Sequence, residues 1–368
     1  MINSLYLKNF KCFKEEQISI GPLTLLSGLN GTGKSTIIQS LLLLRQSYLQ
    51  GTLNTSGLVL NGNLISIGTG QDALNQNAEE EEISFTVETS DNYKATWIWE
   101  YDKSSEFLKL KNKQNDDAIY RLALFSDSFQ YLTAERIGPR TSFKTSQYSV
   151  RNHKQLGIRG EYTIHFISVF GDEPIPNESL IHPGTPSRSL KTQIDAWMGT
   201  ISPGTRLKVT EHDDIDLVSL RYQFLGERDV TNEFRSTNVG FGLTNVLPVI
   251  TAILASPPGS ILLIENPEAH LHPQGQFEMG RLIAKAVNAG VQIILETHSD
   301  HVLNGIRVAV KNQEISDKKI KIHFFERSWI TEQLSHKVIS PKIDKNGRLD
   351  RWPEGFFDEW DKSLDQLI

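Results

Sequence analysis

Gly28-Leu29-Asn30-Gly31-Thr32-Gly33-Lys34-Ser35 is the stretch that decides the fold, because it fits the spacing GxxxxGK[ST] and Thr36 extends it. Glycine backbone lets successive N–H groups curl around phosphate oxygens, and a following helix N-terminus adds a favourable dipole. Both neighbours that such a loop needs are present. Residues 18–27 read as a strand entering it; residues 37–50 read as a helix leaving it, apolar nearly all round through residues 41–44 and stopped at Gly51. The pattern predicts that Gly28, Asn30, Gly31, Thr32 and Gly33 cradle phosphates and that Lys34 reaches the β and γ phosphates. Ser35 is expected to ligate Mg²⁺, and Thr36 to add a phosphate contact.

Three further segments carry chemistry. Ile261-Leu-Leu-Ile-Glu265-Asn266-Pro-Glu268-Ala-His270-Leu-His272-Pro273 reads as a buried strand that delivers Glu265 to its C-terminal end, where ligands bind in open parallel sheets, so Glu265 is expected to hold Mg²⁺. His270 and His272 have no matching carboxylate or cysteine cluster near them and are expected to stabilise the turn rather than hold a metal. Val291-Gln-Ile-Ile-Leu-Glu-Thr-His298-Ser299 is the next strand, ending in a histidine placed where a γ-phosphate sensor would sit. Asn238-Val239-Gly240-Phe-Gly242 opens a helical pattern over residues 243–254, a second glycine turn suited to phosphate. One nucleotide does not need two such helix starts, so this turn is expected to reach the γ-phosphate of a nucleotide held by another subunit.

Around these segments the chain is ordinary for a globular protein: 368 residues, 38% apolar and 22% charged, which excludes wholesale disorder. A net charge of −6 gives no global basic field for nucleic acid. The single cysteine, Cys12, can form neither an internal disulfide nor a thiolate metal cage. With no apolar run longer than residues 41–44 and no signal-peptide pattern, no membrane span is expected, and the expected compartment is the cytoplasm. Residues 5–13 read as a half-buried strand, and residues 52–128 as an antiparallel β subdomain. A local basic stretch carries Arg136, Arg140, Lys144, Arg151, Lys154 and Arg159 with no acidic residue among them. A short helical pattern covers residues 190–198, and the last third alternates strand and helix as βαβ units do. There is no internal repeat and no heptad run, so no long coiled-coil arm.

Taken in this order, phosphate loop, signature turn, acidic strand and switch histidine resemble an ABC-type ATPase head, and more closely the SMC-like prokaryotic group that includes the RecF and OLD proteins. The opening Leu5-x-Leu7-x-Asn-Phe10-Lys-Cys-Phe13 is similar to that group, as are Glu265-Asn-Pro-Glu-Ala-His-Leu-His-Pro273, Tyr131-Leu-Thr-Ala-Glu-Arg136-Ile-Gly-Pro139 and Gly157-x-x-Gly160-Glu161-Tyr162. The tail Trp352-Pro-Glu-Gly-Phe-Phe-Asp358 resembles the C-terminal extension of one subgroup of predicted ATPases. The resemblance implies an α/β head of the ABC/SMC type, with a mainly parallel core sheet, an antiparallel β subdomain and a helical or loop insertion. It divides the chain into an N-terminal lobe (1–135), an insertion or second-lobe region with the basic stretch (136–235), a C-terminal lobe (236–327) and an extension (328–368). It also implies Mg-ATP sandwiched in a homodimer, each phosphate loop facing the partner's Val239, Gly240 and Gly242. A glutamine-type loop is assigned to Glu135 and Arg136.

Two departures from the resembled pattern bear on catalysis. Gly240 stands where such signature turns carry serine, so a hydroxyl contact would have to come from Thr237 or Thr244. Asn266 stands where a second carboxylate would orient the attacking water, with Glu268 two residues on. An amide is a very poor base, so slow turnover is expected, with Lys34, Glu265, Asn266, Glu268 and His298 as the groups that act on the γ-phosphate. The function this implies is an ATP-driven dimeric switch that passes its nucleotide state to a separate effector encoded nearby, in anti-phage defence of the kind seen in Septu and Gabija. The alternative is a nucleic-acid clamp or repair ATPase, the basic stretch contacting backbone phosphates. A nuclease would need an acidic cluster after His298, and a small-molecule kinase would need neither signature turn nor switch histidine.

Overall fold

The computed structural model describes residues 1–226, 229–330 and 333–367. The chain forms two compact units: residues 1–126, 320–342 and 350–368 in the first, and residues 127–319 with 343–349 in the second.

In the first unit, six strands make an antiparallel sheet in the order Phe13–Ser19, Ile2–Phe10, Glu82–Thr89, Lys94–Glu100, Phe107–Asn115, Gly57–Val59. Alternation along these strands turns Leu5, Leu7, Phe10, Phe85, Trp97 and Trp99 into the core. Phe10 meets Phe85 edge-on at 4.8 Å and Phe85 meets Trp99 at 5.1 Å. The residue 5–13 expectation is corrected: Asn9 and Lys11 have positive φ, and the chain turns there into a hairpin rather than continuing as one strand. The residue 18–27 strand is likewise broken, by Gly21-Pro22, since proline has no N–H to give a ladder.

After that break, Leu23–Gly28 is fully buried and pairs in parallel with Ile320–Ile330, which in turn pairs antiparallel with Gln333–Ile339. The helix Lys34–Leu49 follows and is buried on nearly every face, as its unbroken Leu run requires. Phe356 anchors the tail: it is fully buried, edge-on to Phe324 at 5.3 Å and beside Trp352 at 5.4 Å.

In the second unit, Phe129–Leu132, Ile261–Glu265 and Gln292–Glu296 lie parallel, with Ile261–Glu265 in the middle. All three run toward the same end, which places Glu265 beside Glu296 at their C-termini, with Leu132 opposite Ile264. The helices Phe241–Ala255, Pro273–Asn288 and Asp300–Lys311 accompany this layer, joined by Thr163–Phe170 and Leu190–Ile201. Thr205–His212, Leu217–Phe224 and Phe234–Arg235 form a smaller antiparallel sheet that Phe143–Lys144 joins through Leu217–Phe224. No helix among the described residues is long and apolar enough to cross a membrane.

Candidate nucleotide site

In the first unit the loop leaving Leu23–Gly28 is built on positive φ at Gly28 (142°), Gly31 (73°) and Gly33 (109°). Gly33 has a second constraint, because a Cβ there would stand 2.7 Å from Cys12 Sγ and 2.9 Å from the Phe13 ring. The turn of the first hairpin therefore forms the floor under the loop. Lys34 folds back over it, its ammonium donating to the carbonyls of Gly28 (2.9 Å) and Leu29 (2.8 Å), while the Thr32 hydroxyl donates to Leu29 O at 2.7 Å. Asn30, Gly31 and Ser35 are exposed, and Thr36 is buried with its hydroxyl 3.6 Å from Cys12 Sγ. Burial pushes the Cys12 thiol up, so it stays neutral. This arrangement fits a triphosphate with Mg²⁺: a curled backbone, one cation held at its mouth, and an exposed hydroxyl at the helix start.

In the second unit two adjacent strand ends bring the carboxylates Glu265 and Glu296 into register. Glu265 accepts from the Tyr131 hydroxyl at 2.9 Å and from Ala134 N–H at 3.1 Å, one bond to each oxygen, which fixes its head while leaving lone pairs for a cation. Glu296 is its register partner on the next strand and is buried; the sequence reading missed it, although it directly precedes Thr297-His298. Asn266 then takes a left-handed φ of 44°, which asparagine tolerates, and its N–H donates to Glu296 O at 2.8 Å. Its side-chain Oδ1 is buried with no partner among the described residues.

Glu268 is only 8% exposed, and its Oε1 accepts the main-chain N–H of His298 at 2.9 Å. Its Oε2 is buried with no hydrogen-bond partner among the described residues. Burial holds the Glu268 carboxyl above its ordinary range against the opposing pull of His298 N–H, the Thr297 hydroxyl and Arg136. The histidine loop is itself pinned, because Ser299 caps Asp300–Lys311 by accepting from Val302 N–H at 3.1 Å and donates to Gln276 at 2.6 Å. Glu265, Asn266, Glu268 and an exposed His298 thus lie on two neighbouring loops of one unit.

Arg136 requires a correction. It does not belong to an exposed basic stretch: it is buried, with its guanidinium donating to Asn245 O and Oδ1, Thr133 O, Glu265 O and Asn266 O at 2.5–3.1 Å. Burial pushes its pKa down to about 10, leaving it charged. It is a brace beneath the Glu265–Asn266 turn. Arg140, Lys144, Arg151, Lys154 and Arg159 are exposed, but Arg159 pairs with Glu135 at 2.9 Å and Lys154 lies over the Phe170 ring at 5.3 Å. The glycine loop at residues 157–160 holds the brace's own loop, Ile158 O and Arg159 O accepting from Thr133 and Ile137 N–H.

The glycine turn expected to act as a signature turn stands at the start of Phe241–Ala255, with Gly240 as its first boundary residue. Thr237, Asn238 and Gly240 are exposed and Val239 half-buried, and a Cβ on Gly240 would meet nothing within 4 Å. Gly242 differs: its Cβ position is 2.4 Å from His270 O, so this glycine is a packing requirement. Phe241 stacks edge-on against His270 at 4.6 Å. Thr244 cannot offer its hydroxyl outward, because it is buried against the Tyr222 hydroxyl at 3.3 Å. His272 caps Pro273–Asn288 by accepting from Gln274 N–H, the turn-stabilising role expected of it, and no His/Cys/Asp/Glu metal cluster is found among the described residues.

Comparison with known proteins identifies the family and the fold. Residues 23–304 match the family described as "AAA domain, putative AbiEii toxin, Type IV TA system", and residues 315–367 match a family described as "Protein of unknown function". No curated protein matches the chain. Among solved structures, an SmcHead bound to the C-winged helix domain of ScpA is 17% identical with a TM-score of 0.55, covering 93% of this chain and 98% of that one. An Smc head domain with an extended coiled coil, bound to the C-terminal domain of ScpA derived from Pyrococcus furiosus, is 14% identical with a TM-score of 0.51, covering 100% and 99%. The fold is that of an SMC head, an α/β phosphate-loop ATPase architecture with parallel and antiparallel strands.

Proposed function

We propose, from the premise that the chain belongs to the AAA domain family described as putative AbiEii toxin, Type IV TA system, that it is an ATP-binding, slowly hydrolysing dimeric switch. The observation that carries this reading is the Lys34 ammonium held by the Gly28 and Leu29 carbonyls over a loop with three left-handed glycines. Ser35 and Glu265 are proposed as Mg²⁺ ligands, and bound Mg²⁺ would neutralise phosphate charge. Lys34 draws charge from the β and γ phosphates, His298 orients groups at the γ-phosphate, and Asn266 orients a water that it cannot deprotonate. The proton goes to Glu268, whose burial favours the protonated form and whose Oε2 has no partner among the described residues.

The exposed turn at Gly240, where a Cβ would meet nothing within 4 Å, supports association of two copies through nucleotide, since a glycine turn at a helix start suits phosphate. A separate effector protein is proposed to read the nucleotide state, in anti-phage defence; the family description and the occurrence of Smc heads bound to ScpA domains support a head that works with a partner. The exposed Arg140, Lys144 and Arg151 favour a second reading, a nucleic-acid clamp. Binding of duplex DNA or RNA by the full chain, titrated against salt, separates the two. Binding that weakens steeply with salt and is lost in the Arg140→Gln, Lys144→Gln, Arg151→Gln triple variant selects the clamp.

A further inference from the structure

The hairpin Ile320–Ile330 and Gln333–Ile339 falls within the segment that matches a family of unknown function, and the register gives it a position that the nucleotide reading has not used. Ile320–Ile330 pairs in parallel with Leu23–Gly28 from Ile320 opposite Leu23 to Phe325 opposite Gly28. Glycine at position 28 permits the approach, since a Cβ there would stand 2.4 Å from Phe325 O. The parallel pairing ends at Phe325 opposite Gly28, because the chain beside it becomes the phosphate loop there. The next residues therefore flank the loop itself.

Arg327 and His336 sit directly opposite each other in this hairpin, so their side chains leave the same face. Both meet Gly31. Arg327 Nη1 is 3.3 Å from the position a Gly31 Cβ would take, and His336 shares a hydrogen bond with the Gly31 main chain. The His336 ring also stands edge-on to Phe13 at 6.4 Å, and Phe13 lies 6.3 Å from Phe325. Phe13 thus touches both the hairpin and the Gly33 floor of the loop. Arg327 is exposed, and no carboxylate of a described residue forms an ion pair with it. Burial and the neighbouring Arg327 charge hold His336 below its ordinary pKa, so the pair presents one cation rather than two.

A solvated arginine at a strand end would be the plain explanation of Arg327 alone. It does not explain why the residue opposite is a histidine bonded to the same glycine that the guanidinium approaches. We infer that Arg327 and His336 form a wall of the nucleotide site within one chain, with His336 positioning the Gly31 apex and Arg327 supplying a second cation to the phosphate tail beside Lys34. This rests on the reading that residues 28–36 hold a nucleoside triphosphate. It gives the C-terminal segment a function: by reciprocity, nucleotide that draws on Arg327 steadies the hairpin, and the tail anchored by Phe356 on Phe324 is tied to that hairpin.

The test is calorimetric titration of the full chain with ATP, ADP and AMP, for the wild type and for Lys34→Ala, Arg327→Gln, Arg327→Lys and His336→Gln. Arg327 is exposed, so its variants are expected to melt as the wild type does. Arg327→Gln should weaken ATP about tenfold, weaken AMP little and flatten the salt dependence, while Arg327→Lys should recover part of the loss. Hydrogen exchange should show ATP protecting residues 320–330 in the wild type and less so in Arg327→Gln. Wild-type ATP affinity in Arg327→Gln, with binding abolished in Lys34→Ala, overturns the inference and leaves the phosphate loop standing. Equal weakening of ATP and AMP also overturns it, since Arg327 would then only shape the loop. Unchanged affinity in Lys34→Ala removes the phosphate-loop reading and this one with it.

Discussion

The main-chain N–H of His298 donates to Oε1 of Glu268 at 2.9 Å, tying the loop that carries His298 to the loop that follows the strand Ile261–Glu265. A carboxylate that is 8% exposed and bonded on one oxygen sits in one orientation, with its other oxygen buried and unpartnered among the described residues. Glutamine can keep the bond to His298 while losing the proton-accepting oxygen. Glu268→Gln should therefore bind ATP normally and hydrolyse it at least about tenfold more slowly, measured by single-turnover phosphate release. A wild-type rate would show that Glu268 takes no proton.

The same residue makes stability depend on pH. A carboxyl raised above its unfolded value binds more protons in the native state between the two values, so the stability it contributes is full below the unfolded value and is lost as pH rises through the folded one. Wild type should lose stability relative to Glu268→Gln from about pH 4 upward, with a slope no steeper than about 1.4 kcal/mol per pH unit. Denaturant midpoints across pH check this. Parallel pH profiles would mean that Glu268 is not desolvated in solution.

Arg136→Ala should destabilise the chain by about 3 kcal/mol or more, because the carbonyls of Thr133, Asn245, Glu265 and Asn266 lose their shared donor. Arg136→Lys should recover little, since an ammonium cannot reproduce the fork. Urea unfolding measures both. A neutral Arg136→Ala would remove the brace beneath Glu265.

How far the site was legible follows from the physics of each part. The phosphate loop could be read because it is local: glycine spacing, strand before and helix after are contiguous. The strand ending at Glu265 was visible for the same reason, as a short apolar run with a carboxylate at its end. Arg136 was misread because its partners lie about a hundred residues away at Asn245 and beyond, and nothing in residues 136–160 distinguishes a buried guanidinium from a solvated one. Glu296 was passed over beside a more conspicuous histidine. The Cys12–Phe13 floor and the Arg327–His336 wall could not be seen either, because each depends on which strand lies beside which. The positive φ of Asn9 and Lys11, which splits the opening strand, leaves only a faint mark in composition.

Gly240 and Gly242 should separate in mutation, although spacing alone makes them look equivalent. Gly240→Ser restores a hydroxyl into open space and should leave stability within about 0.5 kcal/mol. Gly242→Ala drives a methyl group at His270 O and should cost about 1–3 kcal/mol with or without nucleotide. Light scattering with a non-hydrolysable ATP analogue should show Gly240→Ser dimerising at least as tightly as wild type. Loss of nucleotide-dependent association in a folded Gly240→Ser would contradict the proposed contact.

Asn266 offers a gain-of-rate test, and its left-handed φ of 44° selects the substitution. Aspartate tolerates that backbone nearly as well as asparagine, whereas glutamate adds about 1 kcal/mol of strain. Asn266→Asp should raise steady-state hydrolysis, and Asn266→Glu should raise it less while lowering the melting temperature. If neither variant exceeds the wild-type rate, the identity of residue 266 does not limit turnover.

The central claim is that residues 28–36 bind ATP with Lys34 as the essential cation, and nucleotide affinity of purified Lys34→Ala tests it most directly. The ammonium is held over the loop by the Gly28 and Leu29 carbonyls, so its removal should leave the fold intact while ATP binding falls by two orders of magnitude or more, about 3 kcal/mol. A folded Lys34→Ala that binds and hydrolyses ATP as the wild type does would contradict the account.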